Sequence, residues 1–190
     1  MVIRQFNLLS LKLKDKALMI GEITKLTIDS FRALITPPFY FKRVVHQIVE
    51  LGLGSLSISL VIGLAIGTVM TLQFGFGLSR FGGTLYVPKI VSLSLTREMA
   101  PIFTSLLFAG RVGSGIAAEI GAMNVTQQVD AIRASGTSPI RVLVIPRLVA
   151  SLISLPLLAV FANIIGIMGG LFISMTEFQM SAPFYFDKVL

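Results

Sequence analysis

The sequence has no cysteine, no tryptophan and a single histidine, His46. Without cysteine there can be no disulfide and no thiolate metal site, and the redox compartment is left open. One histidine cannot assemble a metal site. The serines and threonines of the apolar stretches have no activating His–Asp partner, so nucleophilic catalysis has no support. No G-x-x-x-x-G-K-[S/T] word occurs, so the chain lacks the loop that cradles ATP phosphates, and no cofactor is expected in it. "GFGLSR" and "GRVGSG" are glycine-rich, but neither opens a βαβ unit. Charge is also scarce: Asp, Glu, Lys and Arg make up 13% of the 190 residues against 54% hydrophobic, with a mean hydropathy of +0.87. A soluble domain of this size cannot bury so much apolar surface, so an integral membrane protein is expected. Phenylalanine and tyrosine must then supply the interfacial aromatics. The net charge of +7 reads as a basic cytoplasmic face meeting anionic lipid, not as a nucleic-acid surface.

What is present falls into segments. Residues 1–50 carry eight Lys/Arg and four acids. Leu9, Leu13, Ile20, Ile23, Phe31 and Leu34 recur there at roughly helical spacing, which predicts an amphipathic helix in the membrane interface. Charges run through the first sixteen residues, so no cleaved signal peptide is read. Leu51 to Ser79 is 29 residues without a charge, and about 20 suffice to cross a bilayer. The first span is expected at about 55–74. A Gly-rich turn follows. The second span is expected at about 88–118, opening on Pro88, and the third at about 147–175, with Pro146 at its start and a kink at Pro156. Basic residues crowd the N-terminal region and the segment between spans two and three, which places both in the cytoplasm and the tail, 177–190, outside. Small residues recur four apart at Gly63/Gly67, Gly110/Ser114, Gly113/Ala117 and Gly166/Gly170, a spacing that lets membrane helices approach closely.

The stretch "LTREMAPIFTSLLFAGRVGSGIAAEIG", Leu95 to Gly121, reads as membrane span yet holds Arg97, Glu98, Arg111 and Glu119. At about 1.5 Å of rise per residue from Pro88, Arg111 lies roughly 35 Å along, near the inner interface. Arg111 is expected to snorkel to lipid phosphates and Glu119 to sit in water. Glu98 would lie near mid-depth, where a carboxylate costs on the order of 3 kcal/mol. Two readings stand on spacing alone. Either Glu98 faces water, a polar ligand or a partner beside a helix broken by Pro101, or the helix starts later, with Thr96 as N-cap and Glu98 as a first-turn acid.

The segment "AMNVTQQVDAIRASGTSPIRVLVIPR" predicts a short amphipathic helix over about 124–135. Asn124 and Gln127 suggest its start. Val125, Val129 and Ile132 form an apolar stripe, with Gln128, Asp130 and Arg133 elsewhere. Gly136 and Pro139 stop it. Such a helix can lie on the membrane or dock into a partner's groove.

These words, "LTREMAPIFTSLLFAGRVGSGIAAEIGAMNVTQQVDAIRASGTSPIRVLVIPRL" with "ISLPLL" and "GIMGG" after them, resemble the MlaE/YrbE/TGD family of permeases, the membrane subunits of ABC transporters that move phospholipids or related lipids. The resemblance covers roughly Leu51 to Leu171. It implies an all-α integral membrane protein, a homodimer with an interfacial N-terminal helix and five spans, of which this sequence holds three. "EFQMSAPFYFDKVL" then reads as the lead into a fourth span. The helix between spans two and three becomes the coupling helix that enters a cytoplasmic ATPase through Asn124, Val125, Gln128, Val129, Ile132 and Arg133. The importer signature around it is only loosely echoed by "DAIRASG". The resemblance further implies a lipid cavity lined by Gln73, Leu78 and Glu98, an MCE-domain protein on the outer face, ATP used by the partner subunit, and a bacterial inner membrane or plastid inner envelope. The competing readings are a secondary transporter or channel subunit, which calls for more charged or broken spans, and a membrane scaffold without transport.

Overall fold

A computed structural model describes residues 2–35 and 40–189, with side chains from residue 14 onward. The fold is all-α, with no strand among the described residues. Among the described residues, three helices are long and apolar enough to cross a membrane: α2 (Phe41–Ser79), α3 (Thr84–Val125) and α5 (Ile140–Thr176). They are preceded by α1 (Val2–Ile35), interrupted by the short α4 (Gln128–Ala134) between α3 and α5, and followed by α6 (Ala182–Val189). The side chains of Leu9 and Leu13 lie outside the described residues. Farther along α1, Ile20, Ile23 and Phe31 are exposed.

The helices are longer than the charge-free runs, and prolines explain part of this. Pro88 does stand in the first turn of regular α-helix, but a tight turn over Thr84–Tyr86 precedes it. Pro146 likewise stands in the first turn of regular α-helix, which runs from Ile145 to Thr176, but a wide turn precedes it within α5. Wide, π-type turns over Leu95–Met99 and Ile140–Val144 each end two residues before a proline. In both, the last N–H before the proline reaches back five residues: Ala100 to the Leu95 carbonyl, Ile145 to the Ile140 carbonyl. A proline cannot donate, and a widened turn absorbs the lost bond without ending the helix. A third wide turn, Val49–Leu53, lies near the start of α2. The helix continues through Pro156.

Helices α2 and α5 form the core of the body. Along α2 the buried positions step by four through Ser55, Ser59, Gly63, Gly67, Thr71 and Gly75. Along α5 they step by four through Ala150, Ser154, Leu158, Ala162, Gly166 and Gly170. The two stripes face each other. A methyl group on Gly63 would overlap the Ala162 carbonyl oxygen, and one on Gly67 the Gly166 carbonyl oxygen. Van der Waals contact between backbones is the main attraction open to helices in lipid, and side chains at these positions would prevent it. Of the four small-residue pairs in the sequence, these two are used. Gly110 and Gly113 face open space.

Helix α3 leans on this pair in two places. Val87, Val91 and Leu95 pack with Ile66, Met70 and Phe74 of α2 and Ile167 of α5. Phe108 and Val112 pack with Leu158 and Leu155 of α5 and Leu51 and Leu56 of α2. Beyond α5, Phe178 stacks edge-on against Phe76 at 5.7 Å, where Gly75 leaves room for its ring. Tyr185 of α6 is fully buried and donates its hydroxyl to the Ile167 carbonyl at 3.0 Å. Burial pushes the Tyr185 phenol up to about 12. The tail from Glu177 thus folds onto the body.

Candidate functional site

Two regions concentrate polar chemistry, one along the wide turn of α3 and one where α2, α3 and α5 meet at the basic end of the bundle.

At the first, the buried stripe of α3 steps by four from Val87 to Leu95, by five across the wide turn to Ala100, and by four again to Thr104, Phe108 and Val112. Arg97 and Glu98 fall inside the five-residue step and are exposed. Among the described residues neither side chain has a hydrogen-bond or ion-pair partner. The alternative in which Thr96 caps a later helix start is overturned. Thr96 lies mid-helix, donates to the Ser92 carbonyl at 2.8 Å and accepts from Asn163 Nδ2 of α5 at 3.1 Å. Glu98 is therefore a carboxylate within an apolar helix without a partner among the described residues. Gln73 is likewise exposed on α2. Leu78 is half-buried against the Val87–Val91–Leu95 cluster. Five positions apart, Gln73 and Leu78 point about 140° away from each other on their helix, so the fold does not gather the three residues into one pocket within a single chain.

At the basic end the sequence expectations need correction. Arg111 does not reach for lipid: its guanidinium donates to the Gly54 carbonyl and to Ser55 Oγ, the latter at 2.9 Å, tying α3 to the beginning of α2. Glu119 does not sit alone in water. Its Oε1 lies 2.5 Å from Arg147 Nη2 of α5. Arg147 is only 7% exposed whereas Glu119 is 46% exposed, and the second terminal nitrogen of the guanidinium, Nη1, is buried without a partner among the described residues. Cavities of about 170 and 250 Å³ flank Glu119. The first is lined by Arg43, His46 and Arg147, the second by Glu50, Ser55 and Arg111. The buried Ser59 hydroxyl has no hydrogen-bond partner among the described residues, whereas Thr71 donates to the Gly67 carbonyl at 2.8 Å. Sequence reasoning missed both ties. The available signal was an unmatched Glu and an unmatched Arg at the same end of two neighbouring spans.

The expected coupling helix is shorter than its sequence suggested. Asn124 and Val125 complete α3. The chain then breaks at Gln127, whose φ of 55° is left-handed, and α4 runs from Gln128 to Ala134. Asn124 is consequently no N-terminal residue, and Val125, 84% exposed, is not on the stripe of Val129 and Ile132, which are half-buried. Gln128 is exposed, and Arg133 pairs with Asp130 at 3.2 Å. The stop at Gly136 is as expected. Its φ is 75°, its N–H donates to the Arg133 carbonyl and that of Thr137 to the Ile132 carbonyl, the paired bonds of a Schellman motif.

Three apolar spans, an exposed amphipathic first helix and a short helix on the basic side define a polytopic α-helical membrane protein. The family model described as permease MlaE matches residues 44–190. The chain belongs to that family, and the match extends beyond the 51–171 stretch on which the resemblance rested, into the tail. A probable ABC transporter permease protein of Rickettsia bellii is 37% identical over 166 residues, 87% of this chain and 64% of the relative. The intermembrane phospholipid transport system permease protein MlaE of Haemophilus influenzae is 39% identical over 80% of this chain and 63% of the relative. The chloroplastic protein trigalactosyldiacylglycerol 1 of Arabidopsis thaliana is 31% identical over 78% of this chain and 43% of the relative. The chain thus spans less than two thirds of the length of these curated relatives.

Proposed function

We infer that the chain is the membrane permease subunit of an ABC transporter that moves phospholipid or a related lipid between membranes, with ATP hydrolysed by a separate subunit. The observation that carries this is the family match across residues 44–190, joined to relatives named as phospholipid transport and ABC permease proteins. The structure supplies parts suited to the task. Helix α4 stands clear of the bundle on the end rich in Lys and Arg, which by the positive-inside rule is the cytoplasmic or stromal side. There the exposed Gln128 and Arg133, beside the half-buried Val129 and Ile132, are offered to an ATPase, with Asn124 and Val125 at the end of α3 as a separate contact. Glu98 and Gln73, exposed on the spans, are available to a lipid path, whereas Leu78 packs against the Val87–Val91–Leu95 cluster beside it. The open face at Gly110 and Gly113 suits a second copy of the chain, and an MCE-domain protein on the far side would exchange lipid with the path. Bacterial inner membrane and plastid inner envelope both fit the relatives.

Affinity purification in mild detergent tests the reading. A nucleotide-binding ATPase subunit should co-purify and be lost on Val129→Asp or Ile132→Asp. Recovery of the intact membrane protein with no ATPase, under conditions that preserve other transporters, would contradict it.

A further inference from the structure

The Glu119–Arg147 pair closes a loop. The 27 residues between them, 120–146, contain α4, and their two ends leave the bundle through α3 and α5. The pair joins those exits at the base. Beside the pair lies a pocket of about 170 Å³, bordered by Met123 and Val142 as well as by the two charges. The Phe108–Val112–Leu158 cluster lies farther from the loop. The partners are unequal. Arg147 is held in the core, whereas Glu119 is half exposed and can leave for water with its charge solvated. Its departure would strand a buried guanidinium, one of whose nitrogens already lacks a partner, so the open state is costly and the closed state is restored when the load ends.

We propose that Glu119 and Arg147 are positioning residues forming a releasable clasp, which makes the basic ends of α3 and α5 move together when a partner displaces α4. With the clasp shut, a displacement of α4 carries both spans. With it removed, α4 swings on α3 alone and the motion does not reach α5 and, through the Gly67–Gly166 contact, α2. This rests on the transporter reading given above.

The test uses the assembled transporter in phospholipid vesicles and measures lipid moved per ATP hydrolysed. Glu119→Gln should lower that ratio by about tenfold, a typical coupling magnitude, while ATP hydrolysis continues. Glu119→Asp keeps the charge balance but shortens the reach, and should give an intermediate loss with assembly intact. The exchange Glu119→Arg with Arg147→Glu should recover most of the ratio. A purely structural role would change yield or melting temperature and leave the ratio alone. Wild-type ratios in both Glu119→Gln and Glu119→Asp would overturn the clasp, and so would an exchange no better than Glu119→Gln. If Glu119→Gln does not assemble, Glu119→Asp decides. Absence of ATP-driven lipid movement in the wild-type complex would instead overturn the transporter reading.

Discussion

Gly67 of α2 and Gly166 of α5 meet backbone to backbone. A methyl group on Gly67 would overlap the Gly166 carbonyl, and one on Gly166 would sit 2.9 Å from the Gly63 carbonyl oxygen. Since carbonyl groups cannot rotate aside as a side chain does, relief requires the helices to separate. Gly67→Ala should destabilise the folded body by about 1–3 kcal/mol, the range of overpacked cores. Gly113→Ala, where nothing lies within 4 Å, should stay within about 0.5 kcal/mol of the parent. Thermal unfolding of both variants in one detergent checks the difference, and equal melting temperatures would show that the two helices do not touch there.

The tail offers a pH test. The folded-state value of Tyr185 is raised to about 12 from an unfolded value of about 10. The phenol is neutral in both states below pH 10, so its hydrogen bond to Ile167 contributes fully there. Between about 10 and 12 the unfolded chain ionises first, and that contribution is lost as pH rises. Tyr185→Phe should cost about 1 kcal/mol at neutral pH and flatten this part of the alkaline decline. Stability curves of the two proteins that stay parallel from pH 9 to 12 would place Tyr185 in solvent.

Much of the architecture was legible in the sequence, and the misses share a cause. Leu51 to Ser79 had to be a span because nothing else accommodates 29 uncharged residues, and Gly136 had to stop a helix because its backbone is left-handed. Pro88 and Pro146 both stand in the first turn of regular helix, but the spans begin earlier, because a tight or widened turn can precede such a proline. Asn124 was misread because Gln127, not a residue type favoured in left-handed backbone, makes the break. Arg111 and Glu119 were each given a solvent or lipid role that is adequate one residue at a time. Their partners lie 56 and 28 positions away, at Ser55 and Arg147, and only the packing of α3 against its neighbours selects them. The same holds for Gly63 and Gly113. Both belong to small-residue pairs, but the fold turns only one of them toward another helix.

Glu98 is exposed in the wide turn of α3 without a partner among the described residues. If it meets lipid headgroups or transported lipid, Glu98→Ala should reduce lipid traffic at least about tenfold, as loss of a charge-assisted hydrogen bond of about 1.5–3 kcal/mol implies. Membrane insertion, yield and melting temperature should be unchanged. Normal traffic in this variant would remove Glu98 from the lipid path.

Orientation can be read directly because the chain contains no native cysteine. Val129→Cys on α4 should react with a membrane-impermeant maleimide only from the ATP-containing side. Gln179→Cys, beyond the end of α5, should react only from the opposite side. The reverse pattern would place α4 out of reach of any ATPase.

The central claim is that a motor pulling on α4 drives lipid movement through this bundle. The direct measurement is transfer of labelled phospholipid by the reconstituted complex with ATP, comparing the parent with Val129→Asp. Transfer that requires ATP and falls to background in the variant is the expected result. Transfer independent of ATP, or undiminished by Val129→Asp, would contradict the account.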